Sequence, residues 1–204
     1  MKQIGIIGGS FDPIHNGHLI LAEQARDGAG LDQVIFIPAK TSPFKVDQKP
    51  ASGQERMKLV KLAIEDNPFF SASDYELNGP DVSYTITTLQ EFKERWKGEA
   101  VIHFICGTDA FLSMKRWNRA DEILKEFSLI VGARPRYKDK SRDLMIEELN
   151  VLYGTSVTKV QMPKIDISSS DIKERIRTGR SIRYLVPSKV EEWIREEGLY
   201  RSLV

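Results

Sequence analysis

Short apolar runs rich in β-branched residues alternate with amphipathic stretches along this chain, and this alternation limits the folds open to it. The pattern predicts strands at residues 3–8, 33–38, 68–77, 100–106 and 126–135, and helices at residues 16–29, 54–67 and 83–96. Most of the strands are apolar on both faces, as in a parallel sheet covered by helices on both sides. We therefore expect an α/β fold, a Rossmann-like doubly wound parallel sheet.

The texture of the sequence changes near residue 165. From there to the end it predicts two short helices and contains no good strand. We expect a domain over residues 1–164 and a small helical C-terminal subdomain over residues 165–204, packed against the sheet.

Composition narrows the classes of partner. The chain has 204 residues and a net charge of +1, from 30 Lys and Arg against 29 Asp and Glu, so no global basic field points to nucleic acid. A single cysteine, Cys106, excludes an internal disulfide and indicates a reducing compartment. No apolar window approaches the ~18 residues of a membrane span, and the N-terminal apolar run is too short for a signal peptide. These features predict a cytoplasmic protein without a membrane partner.

A glycine-rich turn with two histidines follows the first predicted strand, in "GGSFDPIHNGHL". Gly8 and Gly9 are predicted to adopt positive φ and to let the backbone approach a ligand. Ser10, His15 and His18 add side-chain donors where a helix begins, and the N-terminus of a helix favours an anion. Zinc-binding helices space their histidines by four and include a glutamate, so metal binding by this pair is disfavoured. The glycines, the side-chain donors and the helix N-terminus together suit the binding of a polyphosphate.

A second candidate anion site is "ISSSDIKERIR", residues 167–177. Ser168 and Asp171 have the spacing of a capping box, which by itself predicts only a well-capped helix. Three consecutive hydroxyl groups at a helix N-terminus, with Lys173 and Arg175 within two turns, also suit a phosphate.

These two segments, "HNGH" and "ISSSDIK", resemble the two signatures of the H-x-G-H nucleotidyltransferases. More closely, the chain is similar over nearly its whole length to bacterial nicotinate-nucleotide adenylyltransferases. That resemblance is carried by further segments, namely "SPFK" (42–45), "SYT" followed by "TL" (83–89), "FICGTDAFLSMKRW" (104–117), "ARP" (133–135) and "RYLVP" (183–187).

The resemblance implies transfer of an adenylyl group from ATP to nicotinate mononucleotide, with Mg²⁺ as cofactor and these small molecules as substrates, and with no nucleic acid or membrane as partner. It implies His15 and His18 as the catalytic residues. It implies an ATP site made of Gly8, Gly9, Ser10, Phe11, His15, His18, Gly107, Asp109, Ser168, Ser169 and Arg175. It implies a mononucleotide site made of Lys45, Tyr84, Thr85, Asp109, Trp117 and Arg134.

Several of these positions have simpler interpretations or depart from the family pattern. Asp109 is expected to bind a ribose, yet it also suits a helix N-cap. Trp117 is expected to stack on the pyridine ring, yet it also suits a core position. Phe44, Thr87 and Lys173 stand where the family has histidine, aspartate and arginine, and Lys173 keeps only the charge.

Other functions remain open at this stage. Another nucleotidyltransferase of the superfamily would act on phosphopantetheine or a polyol phosphate. A fragment of a class I aminoacyl-tRNA synthetase should carry a lysine-rich second signature in place of "ISSS". A non-catalytic nucleotide-binding module would bind without turnover. The sequence leaves open whether the pyridine carries a carboxylate or an amide, and whether the chain forms a homo-oligomer. His103 and Cys106 fall within a strand pattern and are interpreted as core residues.

Overall fold

The computed structural model describes residues 1–41, 50–133 and 139–201. Its strands are β1 (Lys2–Gly9), β2 (Gln33–Pro38), β3 (Phe70–Ala72), β4 (Ala100–Gly107), β5 (Ser128–Ala133) and β6 (Val157–Gln161). Its helices are α1 (Asn16–Gly28), α2 (Gly53–Ile64), α3 (Thr85–Arg95), α4 (Thr108–Ser113), α5 (Ala120–Glu126), α6 (Asp139–Tyr153), α7 (Ser169–Arg177) and α8 (Ser188–Glu196).

The six strands form one sheet in the order β3-β2-β1-β4-β5-β6, and every neighbouring pair is parallel. The order reverses between β1 and β4, which lie side by side although 90 residues of chain separate their ends. A crevice opens beyond the carboxyl ends of the strands at such a reversal, and ligands of open α/β sheets bind there. The predicted doubly wound parallel sheet is confirmed.

Two apolar clusters cover the two faces of the sheet. Ile7 points to one face, where α1 and α2 pack, and its neighbour Ile6 points to the other, where α3 to α6 pack. This alternation explains why strands buried on both faces lack a polar side. Helices α7 and α8 place Ile172 and Val190 in the same cluster as α1 and α2. The C-terminal helices therefore share their core with the sheet.

The predicted elements differ from the observed ones mainly in the second half of the chain. Strand β3 has three residues, not the ten predicted at 68–77, because only that part pairs with β2. Helices α4, α5 and α6 and strand β6 were not predicted, whereas α7 and α8 match the two expected C-terminal helices. The end of the strand predicted at 126–135 lies outside the described residues. The domain boundary at residue 165 stays a prediction.

None of the helices that the structure describes is both long and apolar enough to cross a bilayer. The longest of them, α6, has 15 residues, whereas a spanning helix needs about 20.

Candidate active site

The two histidines of the first turn form a reciprocally bonded pair at the start of α1. His15 is the N-cap residue, and its carbonyl accepts a hydrogen bond from the His18 N–H at 2.9 Å. The His15 N–H donates in return to Nδ1 of His18 at 3.2 Å, and the two rings stack with centroids 3.7 Å apart. A ring nitrogen that accepts a hydrogen bond carries no proton, so a neutral His18 carries its proton on Nε2. The local fold thus fixes His18 as an Nε2–H donor.

The expectation that Gly8 and Gly9 adopt positive φ is wrong. The glycines before this turn matter because they carry no side chain. Both continue β1, and the residue with positive φ is Phe11, at 46°. A Cβ on Gly8 would meet no atom within 4 Å, so its missing side chain leaves open room beside the turn. Phe11 itself is buried and packs edge-on against His18 at 5.1 Å, which supports the imidazole from behind.

The hydroxyl groups of α7 mainly hold the local structure together. Ser168 is the N-cap, and its side chain accepts from the Asp171 N–H at 3.1 Å, as the capping interpretation predicted. Ser169 Oγ donates to the Pro13 carbonyl at 2.9 Å and so ties α7 to the histidine turn. Arg175 pairs with Asp171 at 2.7 Å. The first turn of α7 also offers backbone N–H groups, which favour an anion at a helix N-terminus.

Asp12, buried within the first turn, joins three distant parts of the chain. Its Oδ2 accepts from Lys173 Nζ at 2.8 Å, and its Oδ1 accepts from the Tyr200 hydroxyl at 2.8 Å and the Ala51 N–H at 3.1 Å. Burial, reinforced by the Asp12 charge, raises the pKa of Tyr200 well above its ordinary value, so the phenol stays a donor. Lys173 thus uses the charge expected for phosphate to neutralise Asp12.

Arg56 completes this support on the other side of the turn. Its guanidinium is 2% exposed and donates to three backbone carbonyls, at 2.7 Å to Ser10, 3.0 Å to Ala51 and 3.3 Å to Lys40. Burial lowers the pKa of Arg56, and the Asp12 carboxylate opposes that shift. Because the carbonyl groups of Ser10 in the turn and of Lys40 after β2 accept from the same rigid guanidinium group, the turn and the end of β2 are held in fixed relation.

Two adjoining cavities open at the carboxyl ends of β1 and β4. The first, here the His18 cavity, measures about 420 Å³, and its lining includes Gly8, His15, His18, Gly107, Asp109, Trp117, Gly132, Met162, Ser168 and Ser169. The second, here the Tyr84 cavity, measures about 480 Å³, and its lining includes Gly8, Gly9, Ser10, Glu76, Ser83, Tyr84, Thr85, Arg116 and Trp117. They share four wall residues, Gly8, Phe104, Ala110 and Trp117.

The structure brings most of the predicted site residues to these two cavities. Phe11 lies in the core, and Arg175 lines neither cavity. Asp109 lies in the first turn of α4, whose N-cap is Gly107, so the N-cap interpretation of Asp109 is wrong. Lys45 and Arg134 lie outside the described residues, as does Phe44. The roles predicted for all these residues stay predictions.

Trp117 is both a core residue and a cavity wall. It packs against the apolar cluster of α3 to α6, meets Phe104 edge-on at 5.8 Å, and donates through Nε1 to Ser113 Oγ at 3.2 Å. The same ring forms part of the partition between the two cavities. Its rigid seating suits an aromatic surface on which a flat ring can stack.

Comparison with known proteins identifies the family. The family model described as cytidylyltransferase-like matches residues 6–175. The chain is 41% identical to a probable nicotinate-nucleotide adenylyltransferase of Thermoanaerobacter sp., over 98% of this chain and 95% of that one. It is 42% identical to a protein of the same name from Caldicellulosiruptor saccharolyticus, over 98% and 100%. The chain belongs to the nicotinate-nucleotide adenylyltransferase family.

The fold of this chain recurs in solved structures. A Plasmodium falciparum nicotinic acid mononucleotide adenylyltransferase complexed with NaAD superposes with a TM-score of 0.80 at 19% identity, covering 98% of each chain. A Vibrio parahaemolyticus structure described as a nicotinate-nucleotide adenylyltransferase superposes with a TM-score of 0.69 at 23% identity, covering 99% of this chain and 97% of that one.

Sequence reasoning missed several residues that line the two cavities. Glu76 and Arg116 line the Tyr84 cavity, and Gly132 and Met162 line the His18 cavity. Arg116 sits directly before Trp117, and that adjacency was an available signal. Glu76 gave none, since a lone acid in a polar stretch predicts exposure.

The two residues interpreted as core differ in their burial. Cys106 is buried, as predicted, and burial raises the pKa of its thiol to about 12. His103 is only half-buried, and its Nε2 lies 2.8 Å from Gln3 Oε1 on β1. Burial lowers the pKa of His103. Of the two, only Cys106 reaches a cavity wall.

Proposed function

We propose that ATP occupies the His18 cavity and nicotinate mononucleotide occupies the Tyr84 cavity, with their reacting phosphates meeting at the shared wall near Gly8. The reaction is adenylyl transfer from ATP to nicotinate mononucleotide, which yields nicotinate adenine dinucleotide and pyrophosphate in NAD biosynthesis. A phosphate oxygen of the mononucleotide forms a bond to the α-phosphorus of ATP. The bond from that phosphorus to the bridging oxygen breaks, and its electron pair leaves with pyrophosphate.

This reaction requires the two phosphate groups to be aligned, and it requires no proton transfer. The attacking phosphate is largely ionised at neutral pH, since its second pKa is about 6. A site for such a reaction holds two anions in line and stabilises the charge that builds on the transferring and leaving groups. The geometry around His15 and His18 fits this task, because both rings line the His18 cavity at the start of α1, where the helix dipole favours an anion.

His18 supplies a directed donor to the phosphates of ATP. Its ring donates through Nε2, and it lies in the first turn of α1, where the helix dipole already favours an anion. The N-terminus of α7 lines the same cavity through Ser168 and Ser169 and suits the outer phosphates. Two helix N-termini thus flank one polyphosphate.

Mg²⁺ fits this site as an ion carried by the nucleotide. The described residues contain no cluster of three or more His, Cys, Asp or Glu that could hold a metal by themselves. Phosphate oxygens and water are the ligands that Mg²⁺ prefers, and the ion would neutralise part of the charge on the triphosphate. Asp109 is the carboxylate among the predicted ATP-site residues, and it lines the His18 cavity.

The Tyr84 cavity offers complementary surfaces for a pyridine mononucleotide. Trp117 provides the aromatic wall, and α3 begins at Thr85, so the positive end of that helix borders the cavity. A pyridine carboxylate is favoured there by the helix dipole and by Arg116, which forms no ion pair within residues 1–41, 50–133 and 139–201. These charges favour nicotinate over the neutral amide.

The observation that carries the proposal is the common wall of the two cavities, which puts a donor-rich phosphate site beside an aromatic pocket. It is tested by incubating the protein with ATP and, in turn, nicotinate mononucleotide, nicotinamide mononucleotide, phosphopantetheine and glycerol 3-phosphate, and measuring pyrophosphate release. We expect the highest kcat/KM with nicotinate mononucleotide, and nicotinate adenine dinucleotide as the product by mass spectrometry.

Faster turnover of phosphopantetheine or glycerol 3-phosphate would assign the chain to another substrate class. Calorimetric binding of ATP, without release of pyrophosphate from ATP in the presence of any of the four acceptors, would make the protein a nucleotide-binding module instead.

A further inference from the structure

Glu76 is a buried acid at the wall of the Tyr84 cavity that the proposed reaction does not use. It lies between β3 and α3, and only 9% of it is exposed. Burial raises the pKa of Glu76, and hydrogen bonds from Thr88 and Ser83 oppose that shift. Burying a carboxyl group is costly unless its oxygens accept hydrogen bonds, so the groups that bond to Glu76 indicate its role.

Those partners join three parts of the cavity wall. Thr88 Oγ1, in the first turn of α3, donates to Glu76 Oε1 at 2.6 Å. The Ser83 side chain lies near enough to the carboxyl group to lower its pKa. Ser83 Oγ in turn accepts from the Lys40 N–H at 3.0 Å, and the Ser83 N–H donates to the Thr41 carbonyl at 3.1 Å. The Glu76 carboxyl group therefore holds the first turn of α3 through Thr88, and Ser83 beside it bonds to the chain that leaves β2.

We propose that Glu76 is a positioning residue for the mononucleotide, acting through Thr88 and Ser83 to fix the wall formed by Ser83, Tyr84 and Thr85. The inference rests on the proposed function, because it takes the Tyr84 cavity as the pyridine site. A misplacement of 1 Å in such a wall is enough to weaken binding, whereas the phosphates of ATP lie against the other cavity. Loss of the network should thus affect one substrate and spare the other.

A matched control elsewhere in the chain distinguishes a positioning role of the Glu76 network from a merely structural role. Thr88 and Thr155 are each 3% exposed, and each hydroxyl donates one hydrogen bond of 2.6 Å, Thr155 to the Leu124 carbonyl. Thr155 lines neither cavity. Valine replaces threonine with nearly the same shape, so both variants remove one buried hydroxyl group, which bonds to a carboxyl group at Thr88 and to a backbone carbonyl at Thr155.

The experiment measures kcat, KM for ATP and KM for nicotinate mononucleotide in wild type, Thr88→Val, Thr88→Ser and Thr155→Val, together with the thermal midpoint of each. We expect Thr88→Val to raise KM for the mononucleotide about tenfold with KM for ATP within about twofold of wild type. Serine restores the hydroxyl and should restore KM. Thr155→Val should also lower the thermal midpoint, but it should leave both KM values unchanged.

Equal changes in the two KM values for Thr88→Val, or the same KM shift in Thr155→Val, would overturn the proposal. Glu76→Gln is the second variant if Thr88→Val does not fold, since its amide keeps the shape and loses one acceptor oxygen; a selective rise in mononucleotide KM is again expected. Calorimetric titration with nicotinate mononucleotide in the absence of ATP separates the two hypotheses. If wild type binds nicotinate mononucleotide without turnover, the proposed function is refuted, and the ratio of Kd between wild type and variant then decides whether Glu76 positions the mononucleotide. If wild type neither binds the mononucleotide nor turns it over, both the proposed function and the role of Glu76 are refuted.

Discussion

The backbone N–H of His15 donates to Nδ1 of His18 at 3.2 Å, so the turn itself selects the tautomer of the second imidazole. Replacing His18 by alanine removes the Nε2–H donor and leaves the helix end in place. We expect kcat to fall by roughly 10²–10³, the magnitude for one preorganised donor to a developing charge. Single-turnover formation of nicotinate adenine dinucleotide is the measurement.

The control for that substitution is His103→Gln, because His103 lines neither cavity and its bond to Gln3 can be kept by an amide. His103→Gln should retain wild-type kcat. Wild-type turnover in His18→Ala would refute the role given to this residue.

Trp117 should contribute mainly to mononucleotide binding. Truncating it to alanine removes the stacking surface at the partition between the cavities, and base stacking on an aromatic side chain contributes about 1–3 kcal/mol. We expect KM for the mononucleotide to rise roughly 5- to 150-fold and Trp117→Phe to recover part of the loss. Steady-state kinetics with ATP held saturating measure this. A larger effect on KM for ATP would place the pyridine elsewhere.

Tyr200 is predicted to stabilise the fold through Asp12, although it lies 188 residues away in the chain. Tyr200→Phe deletes a hydrogen bond to a buried carboxylate, and bonds to charged groups contribute about 1.5–3 kcal/mol. The free energy of unfolding in urea should fall by that amount. Tyr184→Phe, at a side chain 83% exposed, should change it by less than about 0.5 kcal/mol. Equal midpoints for the two variants would contradict the importance of the Asp12 contacts.

Cys106 should be unreactive in the folded protein. Its thiol is buried, and a pKa of about 12 leaves almost none of the thiolate that reacts with disulfide reagents at pH 8. We expect little labelling by Ellman's reagent in buffer and one thiol per chain in denaturing guanidinium. Rapid stoichiometric labelling of the native protein would show that the β4 region opens readily.

His103 should make stability depend on pH on the acidic side of neutrality. Burial lowers its pKa from an ordinary 6.5, so between the two pKa values the unfolded chain binds more protons than the folded one. The free energy of unfolding therefore rises with pH in that window and declines as the pH falls below about 6.5. Urea titrations of wild type and His103→Gln from pH 7.5 to 5 should diverge in this direction. Parallel curves would show that His103 titrates normally.

The sequence by itself determined the parts of this protein that depend on neighbours along the chain. Apolar runs such as residues 3–8 and 33–38 predict buried parallel strands because their side chains are apolar on both faces of the strand. The spacing of His15 and His18 places both at the first turn of α1, and Ser168 with Asp171 predicts the cap of α7. Each of these features is local, so periodicity and capping chemistry suffice to find it.

Only the tertiary structure decided which of those groups are available to a ligand. Lys173 is drawn to Asp12, 161 residues away, and Glu76 becomes a buried wall residue because β2 and α3 converge on it. The φ angle that the sequence predicted for Gly8 and Gly9 belongs instead to Phe11, whose ring must reach the core. A charged or polar side chain bonds to whichever partner the fold brings within about 3 Å, and sequence spacing carries no record of that distance.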